Sequence, residues 1–240
     1  MMTKKLYRGV LLLLAAAAVG TAASAAAVGT AASAAQPGRE PTNLTADSLT
    51  YDTRTGVVTA EANVRMEQGT GWVEGARATY NTRTEEGTVE GGVRAMREDM
   101  QLSCDRLFAQ GQNHWQATGS VRMVKADRTF TGPQADYYPA QNDYLLAASG
   151  GTITSADGTL SADRLEGWLK ENRFTGVGNA HLVSPPRDLE GGGDRMDYFG
   201  NAERPYVVLD GNAWVFQGNN MARSNHMTVY LADDGKAVTE

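Results

Sequence analysis

The feature that most constrains this chain is that it repeats itself. Two short motifs alternate along it with a period of about 30 residues. The first is a small-residue step leading into an apolar position. It occurs as Ala62-Asn63-Val64-Arg65-Met66, Gly92-Val93-Arg94, Gly119-Ser120-Val121-Arg122-Met123, Gly150-Gly151-Thr152, Gly178-Asn179-Ala180-His181-Leu182 and Gly211-Asn212-Ala213-Trp214-Val215. Its anchors at 64, 93, 121, 152, 180 and 213 lie 29, 28, 31, 28 and 33 residues apart. The second motif falls between them. It runs Ala46-Asp47-Ser48-Leu49-Thr50-Tyr51, Gly75-Ala76-Arg77-Ala78-Thr79-Tyr80, Cys104-Asp105-Arg106-Leu107-Phe108, Gln134-Ala135-Asp136-Tyr137, Ala162-Asp163-Arg164-Leu165 and Gly193-Asp194-Arg195-Met196-Asp197-Tyr198, with a worn copy at Ser224-Asn225-His226-Met227. Six to seven units of this size cannot each bury a face alone, so they must stack on one another.

Each unit reads as a pair of strands. Val58, Ala60, Ala62, Val64 and Met66 alternate with polar neighbours, and Val89–Ala95, Phe174–Leu182 and Val207–Val215 keep the same period of two. No segment after residue 40 holds a helical period for three turns. Thr53-Arg54-Thr55-Gly56, Asn81-Thr82-Arg83-Thr84, Gln141-Asn142-Asp143 and Ala156-Asp157-Gly158 supply turns. Ser184-Pro185-Pro186-Arg187 is expected to form a longer loop and Gly191-Gly192-Gly193-Asp194 a flexible turn. The expectation is one all-β domain over 43–231, an elongated antiparallel sheet stack, followed by a polar tail at 232–240. A bulge would invert the inward phase downstream of it, above all between Met100 and Tyr144.

The chain begins with a basic segment carrying Lys4, Lys5 and Arg8, then the apolar run Val10–Val19 and two copies of AAAVGTAASA at 16–25 and 25–34. This is the layout of a cleavable secretory leader over 1–34, with cleavage after Ala25 or Ala34 and a short segment 35–42 behind it. Retention of the leader as a membrane anchor is the other possibility, although its strongly apolar part is about half of a ~20-residue span. Without the leader, 19 basic and 28 acidic residues remain. That balance excludes a basic nucleic-acid binder. One cysteine, Cys104, excludes a disulfide scaffold and a cysteine-based zinc site, and a buried free thiol is expected. His114, His181 and His226 lack ligand spacing, and no catalytic motif is present. The chain is therefore read as a non-enzyme with no metal or cofactor. Asp47, Asp105, Asp163 and Asp194 are expected to begin strands and satisfy turn N–H groups. An acid ladder on a parallel β-helix is the alternative. Trp72, Trp115, Trp168 and Trp214 are assigned to sheet-edge packing, with aromatic rims around a groove as the alternative.

Inward positions alternate small residues (Ala60, Ala62, Ala76, Ala78, Ala148) with larger ones. The larger set gives the candidate groove residues: Leu49, Tyr51, Val58, Val64, Met66, Tyr80, Val93, Val121, Met123, Leu182 and Val215. Two readings stay open, an interior simply filled by these side chains or an apolar trough with room for hydrocarbon.

The pairing of Ala46-Asp47-Ser48-Leu49-Thr50-Tyr51-Asp52 with Ala62-Asn63-Val64-Arg65-Met66 resembles the OstA-like family of lipopolysaccharide-transport proteins, over roughly residues 43–230. The resemblance implies a β-jellyroll bent like a taco, located in the periplasm, whose groove receives the acyl chains of lipopolysaccharide for outer-membrane assembly. It implies head-to-tail self-association and two partners, an LptC-like inner-membrane protein and an LptD-like outer-membrane translocon. The edges expected to pair are Asn43–Asp52 and Met227–Leu231. Arg65, Arg77, Arg94, Arg106, Arg122 and Arg164 are candidate cations for lipid phosphates, though alternation points Arg65, Arg94 and Arg122 outward. A membrane-anchored LptC-like component and a β-solenoid adhesin or polysaccharide-active protein are the alternatives.

Overall fold

The computed structural model describes residues 29–32, 42–111, 113–231 and 237–239. The expected leader lies outside these residues apart from 29–32, as do both cleavage positions, nearly all of 35–42, and the tail apart from 237–239.

Turn chemistry divides the chain into passes of 11 or 12 residues, some of them split in two. The strands are β1 (Gly29–Ala32), β2 (Thr42–Ala46), β3 (Ser48–Asp52), β4 (Val57–Gln68), β5 (Gly71–Asn81), β6 (Glu86–Arg97), β7 (Met100–Gln110), β8 (His114–Lys125) and β9 (Arg128–Tyr138). They continue as β10 (Tyr144–Ala147), β11 (Gly151–Ser155), β12 (Gly158–Ala162), β13 (Arg164–Trp168), β14 (Arg173–Ser184), β15 (Leu189–Phe199), β16 (Tyr206–Gln217), β17 (Asn220–Leu231) and β18 (Ala237–Thr239). All belong to one antiparallel sheet in which successive passes are neighbours. A parallel β-helix is thereby excluded. The turns use the expected residues: Asn81 Oδ1 accepts the Arg83 N–H at 2.9 Å, and Asp52 Oδ1 accepts that of Arg54 at 2.8 Å. Ser184–Arg187 is tighter than a loop, since Pro185–Arg187 forms a single 3-10 turn.

Alternate passes, β4, β6, β8, β14 and β16, are bent at their middles by the first motif. Ala62 and Asn63 have φ of +59° and +51°, Gly91 and Gly92 +85° and +66°, Gly119 and Ser120 +77° and +46°. Gly178 and Asn179 follow at +75° and +46°, then Gly211 and Asn212 at +69° and +52°. Two consecutive left-handed residues favour Gly and Asn, which accounts for the recurring Gly-Asn step. The ladder slips register there in each pairing, for example between Glu61 and Val64.

The second motif holds the bend from the preceding pass. Asn63 Nδ2 donates to Asp47 Oδ2 at 2.8 Å, Asn179 Nδ2 to Asp163 Oδ2 at 2.7 Å, and Asn212 Nδ2 to Asp194 Oδ2 at 3.0 Å. The Asp47 and Asp163 N–H groups donate to Ala62 O and Gly178 O. Asp47 and Asp163 directly precede β3 and β13, as expected, whereas Asp105 and Asp194 lie inside β7 and β15 rather than at strand starts, a correction to the sequence expectation. Pro133 replaces one of them where the β8–β9 ladder is already interrupted, so its missing N–H removes no ladder bond.

The bends line up and crease the sheet into two half-sheets that share one apolar core. The first holds β4, β6, β8, β14 and β16 before their bends and β5, β7, β9, β15 and β17 after the register slips opposite them. The second holds the complementary segments. Inward phase survives the bend in β4 (Val58 and Ala60, then Val64 and Met66) but slips by one in β5 (Gly71 and Val73, then Ala78 and Tyr80). Ala62, Ala76 and Ala148, assigned inward by simple alternation, are exposed. Gly191-Gly192-Gly193-Asp194 is also no turn. It lies within β15, where a Cβ on Gly192 would stand 2.6 Å from Ala180 O and 3.2 Å from the Trp214 ring.

Candidate functional site

Among the described residues, the space between the half-sheets is concave and apolar, and it opens where the strand ends form two lips. Of the candidate groove residues, Val58, Val64, Met66, Tyr80, Val93, Val121, Met123, Leu182 and Val215 are buried there. Leu49 and Tyr51, on the terminal strand β3, are half-buried. Val64, Val93 and Val121 each follow a bend directly, so they pack the crease.

Nearer the lips are residues that alternation alone did not select. An open pocket of about 520 Å³ is lined by Val89, Met96, Met100, Leu102, Leu107 and Trp115, with Arg97 at its rim. Trp115 is 7% exposed and belongs to this pocket rather than to a sheet edge. The Arg97 guanidinium lies 5.2 Å from its ring centroid, so the pair spans the lips at one point. The signal missed was the phase slip at Asp105-Arg106, which turns Leu107 and Ala109 inward after Met100, Leu102 and Cys104.

Next in strand order, the lips are tied together. Lys125 Nζ, at the end of β8, donates to Asp143 Oδ2 at 3.2 Å, and the Tyr137 hydroxyl donates to Asp143 Oδ1 at 2.7 Å. Lys170 approaches the same carboxylate at 3.6 Å. Burial alone would push Asp143 up, but the Tyr137 hydroxyl and the Lys125 ammonium together hold it below the usual carboxylate range. Burial, with the Asp143 carboxylate beside it, pushes Tyr137 up.

Beyond this strap lies a second open pocket of about 510 Å³ with a mixed lining that includes Leu182. Its floor is apolar (Ile153, Leu160, Phe174) and its rim polar (Arg128, Asp157, Asn172, Arg187).

The other expected residues lie elsewhere. Arg77 pairs with Glu61 at 3.6 Å, Arg106 with Glu90 at 3.2 Å, Arg164 with Glu166 at 2.8 Å, and Arg94 with Glu74 at 3.7 Å. Arg65 bonds Glu67 at 2.7 Å, and Arg122 is exposed. His114, His181 and His226 each contact a single carboxylate, from Asp136, Glu190 and Asp210. Cys104 is buried and its thiol is pushed up to about 11 by burial and by Asp105. It is therefore not a thiolate near neutral pH.

Residues 43–234 match the family model described as LptA/(LptD N-terminal domain) LPS transport protein. Among solved structures the chain is similar to LptH of Pseudomonas aeruginosa, described as the LptA homologous periplasmic component of a conserved lipopolysaccharide transport device. The identity is 19% and the TM-score 0.41, over 44% of this chain and 80% of that one. No curated protein sequence matches the chain.

Proposed function

Because the chain belongs to the LptA/LptD N-terminal-domain family of lipopolysaccharide transport proteins, we propose that it carries lipopolysaccharide across the periplasm by holding its acyl chains between the half-sheets. The observation that supports this most is the apolar pocket at the lips around Leu107 and Trp115. A burial of about 0.8 kcal/mol per methylene gives about 10 kcal/mol for a chain of a dozen methylenes. Binding of that size replaces the exposure of hydrocarbon to water, and no bond is made or broken. Val58, Val64, Met66, Tyr80, Val93, Val121, Met123, Leu182 and Val215 line this groove, with Val64, Val93 and Val121 at its crease, and Leu49 and Tyr51 form its end. The leader 1–34 is removed on export, leaving one domain over 43–231. Copies join end to end through terminal strands, between an LptC-like partner at the inner membrane and an LptD-like translocon at the outer.

The test is photo-crosslinking in cells from half-buried Met96 and Leu107, with exposed Gln101 and Arg122 as controls. Lipopolysaccharide adducts are expected from the pocket pair alone. A folded, exported protein giving no adduct at either pocket position overturns the reading.

A further inference from the structure

We infer that the second pocket seats the anionic head of the bound amphiphile, with Arg128 and Arg187 gripping a phosphate-type group while its tail runs over Ile153, Leu160 and Leu182. This rests on the lipid-carrying reading above and adds to it the place where the head group is held.

Arg187 is the stronger argument. Its side chain is 14% exposed, its Nη1 donates to Ser184 Oγ at 3.3 Å, and the Asp157 carboxylate lies 3.5 Å away. Its Nε is buried with no hydrogen-bond partner among the described residues. A buried guanidinium N–H left unpaired is costly, and an oxyanion entering the pocket would satisfy it. Arg128 stands on the same lip at the start of β9. Its guanidinium lies 5.8 Å from the Phe174 ring centroid, and Asp127 approaches it only to 3.9 Å. Both cations, Asp157 and the Tyr198 ring line the same pocket. Across the mouth, Asn172 Oδ1 is buried and unpartnered, an acceptor suited to a sugar hydroxyl beside the phosphate.

The contrast with the outward arginines is one of setting, since Arg187 also faces a carboxylate, that of Asp157 at 3.5 Å. Arg65, Arg77, Arg94, Arg106 and Arg164 already face carboxylates on the outer surface. Arg128 and Arg187 border an apolar floor, where Ile153, Leu160 and Phe174 are buried. Planar guanidinium groups match phosphate oxygens two at a time, and that contact strengthens where water is excluded. A cationic rim above an apolar floor complements a molecule that is anionic at one end and apolar at the other.

The experiment measures binding of the full chain to hexa-acylated lipid A bearing two phosphates, and to the same lipid after enzymatic removal of both. The wild type is expected to prefer the phosphorylated lipid. Arg128→Gln and Arg187→Gln should each weaken that lipid about ten-fold and leave the dephosphorylated one unchanged. Arg122→Gln should alter neither. Asp157→Asn removes the competing carboxylate and should tighten the phosphorylated lipid alone, which guards against reading a folding defect as lost binding. Equal wild-type affinity for both lipids, or arginine variants that weaken both alike, would overturn the head-group assignment while the transport reading stands. Failure of the wild type to bind either lipid overturns the transport reading itself, and this site with it.

Discussion

Gly178 has φ of +75°, and a Cβ built on it would stand 2.7 Å from Asp163 Oδ2. Gly92 has φ of +66°, with nothing within 4 Å of the same atom. Both are bend residues, so the pair separates backbone strain from the side-chain clasp. Gly92→Ala should cost about 1–2 kcal/mol, the left-handed penalty alone. Gly178→Ala should lose at least about 1 kcal/mol more, because Asp163 must leave Asn179 Nδ2 to make room. Urea unfolding of the two variants measures the difference, and equal losses would mean the clasp contributes little. The motifs themselves were plain in the sequence. Their joint role was not, because Asp163 and Asn179 are 16 residues apart and meet only once neighbouring strands are in register.

At the scale of elements, simple alternation located the crease but not the lips. Strands bent at the first motif keep their inward phase through it, so Val64, Val121 and Val215 could be read directly. Strands carrying the Asp motif slip by one residue, and the pocket residues Leu107 and Ala109 lie just past such a slip. The strap was hidden for the same reason. Asn142-Asp143 looks like a turn and is one, yet Lys125 reaches it from the other half-sheet. Its pH dependence has a definite sign. Asp143 is held below its unfolded pKa of about 3.9. Its stabilising contribution is therefore complete above that pH and is lost as pH falls through the depressed folded value. Asp143→Asn should destabilise the protein by about 1–3 kcal/mol at pH 7. The gap between variant and wild type should close as pH falls below about 4. Denaturant melts at pH 7 and pH 3 measure it, and a gap of constant size would show that the carboxylate charge is not what ties the lips.

For the whole molecule the decisive question is how an open sheet ends. The pairing edges expected from sequence were Asn43–Asp52 and Met227–Leu231. β18 covers Val229–Leu231, whereas β1, which pairs along Asn43–Ala46, lies within the leader proposed to be removed on export, so loss of the leader leaves that edge open as well. Among the described residues, Ser48–Asp52 of β3 has a neighbour only on its β4 side, and Asn220–Thr228 of β17 only on its β16 side. These two unpaired edges differ in sequence and stand at opposite ends of the strand order, so a contact between them is heterologous and repeats without closing. Natural sheets suppress such pairing with lysine on the edge. Thr50 and Ser224 are exposed on the two edges, so lysine there should leave the fold intact. Thr50→Lys and Ser224→Lys should each abolish concentration-dependent growth in light scattering when alone. Mixed, they should form dimers that grow no further, because each copy retains one competent end. If the mixture lengthened without limit, or if neither substitution shortened the assemblies, the junction would have to be built from some surface other than these edges.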